Sequence, residues 1–235
     1  MGRVFEKRKH KMFARYDKMA KTFTRIGKEI AIAVKQGGPH PEGNPRLRMA
    51  IQNAKGANMP KDRVENAIKR ASSKDASSFE EMIYEGYAPH GVAVLVETAT
   101  DNPTRTVANV RMHFNRGNGT LGKTGSLDFL FDRKGVFKIK KENLNLDELE
   151  LELIDSGLED IAVDENEVYI YCSFNDFGTM AKALEEKGIA VISAEKQRIA
   201  TNFVELSEKQ QEEVLKLVET LEEDEDVQQV YHNLK

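Results

Sequence analysis

From Phe13 onward apolar residues recur every three to four positions: Phe13, Tyr16, Met19/Ala20, Phe23, Ile26/Gly27, Ile30 and Ala33/Val34. That is the period of an amphipathic helix. It predicts a helix of about 23 residues, ~35 Å long at helical rise. Ahead of it, residues 2–11 (GRVFEKRKHK) are mostly basic with no apolar period and predict a flexible arm. Gly37 and Gly38 form a C-terminal stop, reinforced by Pro39 and Pro41. Asn44 is placed to cap a second helix, and Pro45 suits its first position. Leu47, Ala50/Ile51 and Ala54 give that helix a short apolar face. Asn58 interrupts the pattern, and Pro60 opens a third helix with Val64, Ala67/Ile68 and Ala71 inward. The three predict a small helical bundle ending at a polar linker, SSKDASS, over residues 72–78.

Past residue 80 the period changes. MIYEGYA and GVAVLVETAT read as strands over 82–88 and 92–99, flanking a Pro89–Gly91 turn. Asn102-Pro103 starts a helix with Val107, Val110 and Phe114 inward. A glycine-rich loop over 117–125 follows, then SLDFLF as a strand over 127–131. Next come strand 135–140, helix 146–155, strands 158–163 and 167–173, helix 176–187 and strand 189–197. That order is β-α-β-β-α-β, the ferredoxin-like arrangement. The C-terminal part reads as strand 201–206, helix 208–222 and a short strand 227–232. The fold class is therefore mixed α+β: a basic three-helix domain over 1–74 and two ferredoxin-like α/β domains, one discontinuous over 79–133 plus 200–235 and the other inserted in it over 134–199.

Charge sharpens this division. The net charge is only −4. Residues 1–74, however, hold 19 Lys+Arg against 6 Asp+Glu, and residues 75–235 hold 16 against 33. The balances are +13 and −17. Such asymmetry points to a polyanion-binding module joined to an acidic body. The competing interpretation is an ordinary solvated basic face. No apolar run approaches the ~20 residues of a spanning helix. One Cys excludes a disulfide framework or a CxxC metal site. The basic start has no apolar h-region of a secretory signal, and residues 1–30 lack Ser and contain Glu6, Asp17 and Glu29, unlike a transit peptide. The expected location is the cytoplasm.

Chemistry-bearing motifs are few. GNGTLGKT, residues 117–124, matches the phosphate-loop pattern G-x-x-x-x-G-K-[ST]. That chemistry needs a strand before the loop and a helix after it. The predicted order here is helix, loop, strand, so a tight connection or a backbone-rich RNA-contacting surface fits better. His10, His40, His90, His113 and His232 are scattered without metal-ligand spacing. His10 falls in the basic arm, and the other four read as loop or surface positions. Cys172 sits in a strand, VYIYCSF, as a packed thiol without a partnering base. The run EEDED over 222–226 reads as a solvated helix end, with pairing to the basic bundle as the alternative. No catalytic residue, cofactor or metal is expected.

Long segments of the chain resemble one known family. KTFTRIGKEIAIAVKQGG, NPRLRMAI and ANMPKDRVENAIKRA resemble the N-terminal region of the YebC/PmpR family. YEGYAPHGVAVLVE, TDNPTRTVANVR and GNGTLGKTGSLDFLFDRKGVF resemble its following segment. The resemblance runs in order over nearly the whole chain. It implies a three-domain protein, one α/β domain inserted in another, that is cytoplasmic, non-enzymatic and a DNA-binding transcriptional regulator. Some relatives are instead tied to translation, with the ribosome, rRNA or tRNA as partner. This chain departs from the family at its start, where GRVFEKRKHK lacks the usual Trp, and at His90, where Gly is frequent. Candidates for phosphate contact are Lys7, Arg8, Lys9, Lys11, Arg15, Lys18, Lys21, Arg25, Lys28, Arg46, Arg48, Lys61, Arg63, Lys69 and Arg70. No helix start carries the Asn/Gln/Arg cluster of strong base readout.

Overall fold

A computed structural model describes the backbone of residues 3–73, 78–142 and 144–235, with side chains from residue 19 onward. The middle of the expected SSKDASS linker, residues 74–77, lies outside the described residues. The chain divides into two compact units, residues 1–79 and 80–235.

In the first unit α1 spans Arg3–Gly37, 35 residues. The backbone is thus helical where an arm was expected over residues 2–11. Residues 3–11 contain no Pro or Gly, and Arg, Lys and Glu are strong helix formers, so nothing local stops the helix from reaching Arg3. Gly38, at φ +85°, ends it, and its amide bonds the Val34 carbonyl. Two shorter helices follow, α2 (Pro45–Gly56) and α3 (Lys61–Ala71). Asn44 does more than cap α2. Its Oδ1 accepts from the Leu47 amide at 3.0 Å, while its Nδ2 donates to the α1 carbonyl of Ala33 at 2.7 Å and to Gly38 at 2.9 Å. One buried side chain therefore staples the end of α1 to the start of α2. Ile30, Ala33 and Val34 pack on Leu47, Ala50, Ala54 and Val64 to form the core of this unit.

The second unit holds two antiparallel sheets, each four-stranded among the described residues. The first is built from β1 (Glu80–Tyr87), β2 (Ala93–Thr100), β3 (Thr120–Leu121) and β8 (Val227–His232), in the order β3-β1-β2-β8. Helices α4 (Pro103–Arg116) and α7 (Glu208–Glu222) belong to the same layer. Val94, Val96 and Tyr84 of one sheet face pack on Val110 and Phe114 of α4 and on Val214, Leu217 and Leu221 of α7.

The second sheet contains β4 (Phe131–Lys140), β5 (Leu158–Asp164), β6 (Glu167–Ser173) and β7 (Val191–Ala200), in the order β5-β6-β4-β7. With α5 (Leu146–Leu153) and α6 (Phe177–Glu186) this is the ferredoxin-like βαββαβ layer. Alternate burial along β6 puts Val168, Ile170 and Cys172 inward. Phe137 of β4 stacks on Phe177 of α6 at 4.8 Å. The ends of β4 and β7 reach past the expected limits, so that Phe131 and Ala200 join Leu127 against Ala93 and Leu95 on the free face of the first sheet. Arg198 of β7, with its side chain only 5% exposed, ties the two sheets through Glu97 of β2, Nε to Oε1 at 2.8 Å, and also pairs with Asp128.

Three expectations are corrected. SLDFLF is not a strand of the first sheet: residues Asp128–Leu130 form a 3-10 turn, and the third strand is Thr120–Leu121, inside the glycine-rich segment. The pattern misled because Leu127 and Phe131 are both buried while Phe129 is 76% exposed, a spacing of four that belongs to a turn. Residues 201–206 contribute one bridge, Val204 to Leu234, and no strand. The acidic run over 222–226 is not wholly solvated. Asp226 is buried and accepts from Thr100 Oγ1, Thr106 Oγ1 and Arg105 Nη2 at 3.2, 2.9 and 2.8 Å.

Candidate nucleic-acid interface

Helical continuity decides which of the predicted cations share a surface. Along α1 the positions 7, 11, 18, 21, 25 and 28 follow one another at three- and four-residue steps, with Ala14 filling the gap. All six are Lys or Arg. On an unbroken helix such positions form one stripe, and 21 residues of rise make it ~32 Å long. Arg8, Lys9 and Arg15 occupy other sectors of the same helix. Ile30, Ala33 and Val34 point into the core, which leaves positions 21, 25 and 28 on the side away from it. Lys21 is exposed and Arg25 and Lys28 are half-buried. Lys28 Nζ also lies 5.4 Å from the Phe79 ring.

The predicted cations of α2 and α3 are used differently. Arg46 makes a bidentate pair with Glu29, at 2.8 and 3.1 Å, and a bond to Gln36 at 2.9 Å. Arg48 donates to the carbonyls of Pro41 and Glu42 at 2.8 and 2.9 Å. These two guanidinium groups close the α1–α2 turn. Lys61 pairs with Glu65 across one turn at 3.5 Å, and both are largely exposed. Arg63 lies over the Phe23 ring at 5.6 Å, which joins α3 to the apolar side of α1. Lys69 and Arg70 are exposed in the last turn of α3, where cations oppose the helix dipole's negative end.

The glycine-rich segment does not have the strand–loop–helix order of a phosphate loop: it follows α4 and leads into strands. The carboxylate of Glu85, 3% exposed, accepts from Gly125 N and Leu127 N at 2.5 Å each. The carboxylate thus anchors the chain just past the motif, on its way into β4. Gly119 serves close packing: a Cβ there would sit 2.6 Å from the Tyr87 carbonyl oxygen. Gly125 supplies φ +82°.

Two histidines expected on loops or the surface are packed instead. His113 lies on α4, its Nε2 3.2 Å from Asp224, and its Nδ1 is buried without a partner. His232 lies on β8, and burial pushes its imidazole below the usual range. Among the described residues no group of three or more His, Cys, Asp or Glu is arranged to hold a metal ion, and no helix is long and apolar enough to cross a membrane.

Sequence comparison agrees with this two-unit layout. Residues 3–74 match the model of the TACO1/YebC protein N-terminal domain, and residues 79–234 match that of the TACO1/YebC second and third domain. The chain belongs to the TACO1/YebC family. A protein from Cytophaga hutchinsonii is 59% identical, covering 100% of this chain and 98% of its own length. One from Anaeromyxobacter dehalogenans is 57% identical over the full length of both. Each is named a probable transcriptional regulatory protein. The crystal structure of a conserved hypothetical protein from Aquifex aeolicus superposes with a TM-score of 0.81 at 39% identity, over 92% of this chain and 90% of that one. As a TACO1/YebC protein, the chain falls among proteins named as regulators.

Proposed function

We propose that the protein is a non-enzymatic regulator of gene expression that binds nucleic acid through residues 1–74, acting on DNA as the name of its relatives implies. The observation that carries this reading is the stripe of six cations along α1. Lysine and arginine side chains at one-turn intervals match a line of phosphates, and each contact releases a condensed counterion. The acidic second unit repels the same polyanion, so it favours a single mode of attachment.

A second reading, an RNA- or ribosome-binding translation factor, draws on Arg46 and Arg48. Groove-reading modules place side chains from a helix start against base edges. At the start of α2 both arginines are held within their own unit. Recognition by backbone charge and shape, common for RNA helices, fits that arrangement.

The test is a salt titration of filter binding to duplex DNA and to rRNA. Reversing Lys11, Lys18, Lys21 and Arg25 to Glu removes four contacts and should flatten the log–log slope by about 3–4. Reversing Lys140 and Lys141 in the second unit should leave it unchanged. An unchanged slope in the first variant would place the interface elsewhere. Crosslinking in cells, scored for DNA, rRNA or tRNA, separates the two readings.

A further inference from the structure

One end of the second unit differs from the rest of its acidic surface. Residues 117–131 leave α4, form β3 and enter β4, while residues 200–206 leave β7. The two segments run side by side: Phe131 is the register partner of Ala200, and the Leu130 carbonyl accepts from Thr201 N at 2.9 Å and Thr201 Oγ1 at 3.1 Å. Each turns a phenyl ring to solvent, Phe129 at 76% and Phe203 at 57% exposed. The same two segments carry the exposed polar residues Thr124, Ser126, Thr201 and Asn202. The loop that carries Thr124 and Ser126 is fixed from beneath by Glu85.

Charge at this end is also particular. The charged residues of the two segments are Lys123, Asp128 and Glu205. Asp128 is matched by Arg198, and Glu205 by Lys235. Lys123 is exposed and makes no ion pair among the described residues. A cation and two solvent-facing rings therefore lie on two adjoining segments of a body that is acidic overall.

We propose that Phe129, Phe203 and the 122–126 loop form a stacking site for the bases of an unpaired nucleic-acid strand. Aromatic rings accept any base face, and a nearby cation with adaptable hydroxyl and amide groups holds backbone and base edges. An apolar protein partner calls for a wider continuous apolar patch, and the other exposed residues of 122–126 and 201–203 are Gly, Lys, Ser, Thr and Asn. The inference rests on the nucleic-acid binding proposed above and adds to it a second surface, one that reads unpaired bases instead of phosphate charge.

The chain has no Trp, so Phe129→Trp and Phe203→Trp each install a single fluorophore. The full-length variants are titrated with 12-residue oligouridine and oligothymidine, following tryptophan emission and the anisotropy of labelled oligonucleotide. The site predicts quenching that saturates together with the anisotropy. It also predicts that Phe129→Ala/Phe203→Ala weakens binding at least ~5-fold, the lower end for loss of a base stack, with the salt slope unchanged. The uridine and thymidine arms separate an RNA source from a DNA source. Binding without quenching and without a loss in the double alanine variant overturns the site, as does absence of single-strand binding in a wild type that still holds duplex through α1. Failure of the wild type to bind either duplex or single strand removes this site and the proposed function together.

Discussion

Replacing Glu85 with Ala should loosen the 122–126 loop and lower the stability of the second unit. The carboxylate accepts from two amides, Gly125 N and Leu127 N. Hydrogen bonds to a charged acceptor contribute roughly 1.5–3 kcal/mol each, and a buried donor left unmatched costs about 1–3 kcal/mol. The two amides fare differently once Glu85 is gone. Gly125 is exposed, so its N–H recovers most of its bond from water. Leu127 is 1% exposed, so its N–H is stranded. The second term dominates, and a total of about 2–4 kcal/mol follows. For a domain of this size that lowers Tm by about 4–16 °C. Glu85→Gln keeps one acceptor oxygen but presents an NH2 to the other amide, so it should fall between wild type and Ala. Thermal unfolding followed by circular dichroism gives the magnitude. Amide exchange localises it, because Gly125 and Leu127 should lose protection before the strands do. An alanine variant with unchanged Tm and unchanged protection at Leu127 would refute the assignment of Glu85 as the internal anion of this loop.

Three further outcomes follow from packing. Cys172 is the single thiol, fully buried, and burial first and then the nearby Asp176 and Glu159 push it up to about 11. It should stay inert to a disulfide reagent at pH 8 in the native state and react stoichiometrically in guanidinium; rapid native labelling would contradict that burial. His232 has its imidazole held below the usual range by burial, against a smaller opposing effect of Glu222. The unfolded chain, titrating near ~6.5, then binds the proton more readily, so this residue costs no stability above that pH and destabilises as pH falls below it. Urea midpoints should decline between pH 7 and pH 5, and His232→Gln should shrink the decline; an identical pH dependence in both proteins counts against it. At Gly135 a Cβ would lie 2.6 Å from Cys172 Sγ and 2.7 Å from a Phe177 ring carbon. Gly135→Ala should therefore cost about 1–3 kcal/mol, partly recovered when Cys172→Ala removes the sulfur, and an additive double variant would show that the sulfur is not the obstacle.

Local signals in the sequence led to local structure with good fidelity. Asn44-Pro45 and Asn102-Pro103 each name a cap and a first helical residue, and each starts a helix in the structure. The strict alternation in EVYIYCS has one solution, a strand buried on one face. Where a residue's role is set by a partner far along the chain, no such signal exists. Glu85 meets Gly125 and Leu127 some forty residues later. Asp226 meets Thr100 and Thr106 more than a hundred residues earlier. The charge runs that read as solvent-facing contain both a buried carboxylate and exposed ones, because composition does not say which member the sheet will cover. SLDFLF alternates well enough to suggest a strand, yet Leu127 and Phe131 are drawn onto the face that carries Leu95, and a 3-10 turn is the shortest way to bring both there.

The candidate interface shows the same division between what is local and what is not. That residues 1–74 are basic follows from counting. That six of those cations form one line depends on α1 running unbroken from Arg3, because an arm over residues 2–11 would have released Lys7 and Lys11 from the register of Lys18, Lys21, Arg25 and Lys28. Arg46 and Arg48, equally basic in sequence, are withdrawn from that line by Glu29, Gln36 and two carbonyls close to them in space. Net charge therefore does not say how many cations can stand in one line, and helix continuity sets how many positions can face the same one-dimensional ligand. For a polyanion with charges at regular intervals the second quantity governs the salt slope, which is why four reversals along the stripe should change that slope while reversals of Arg46 and Arg48 should mostly disturb the fold.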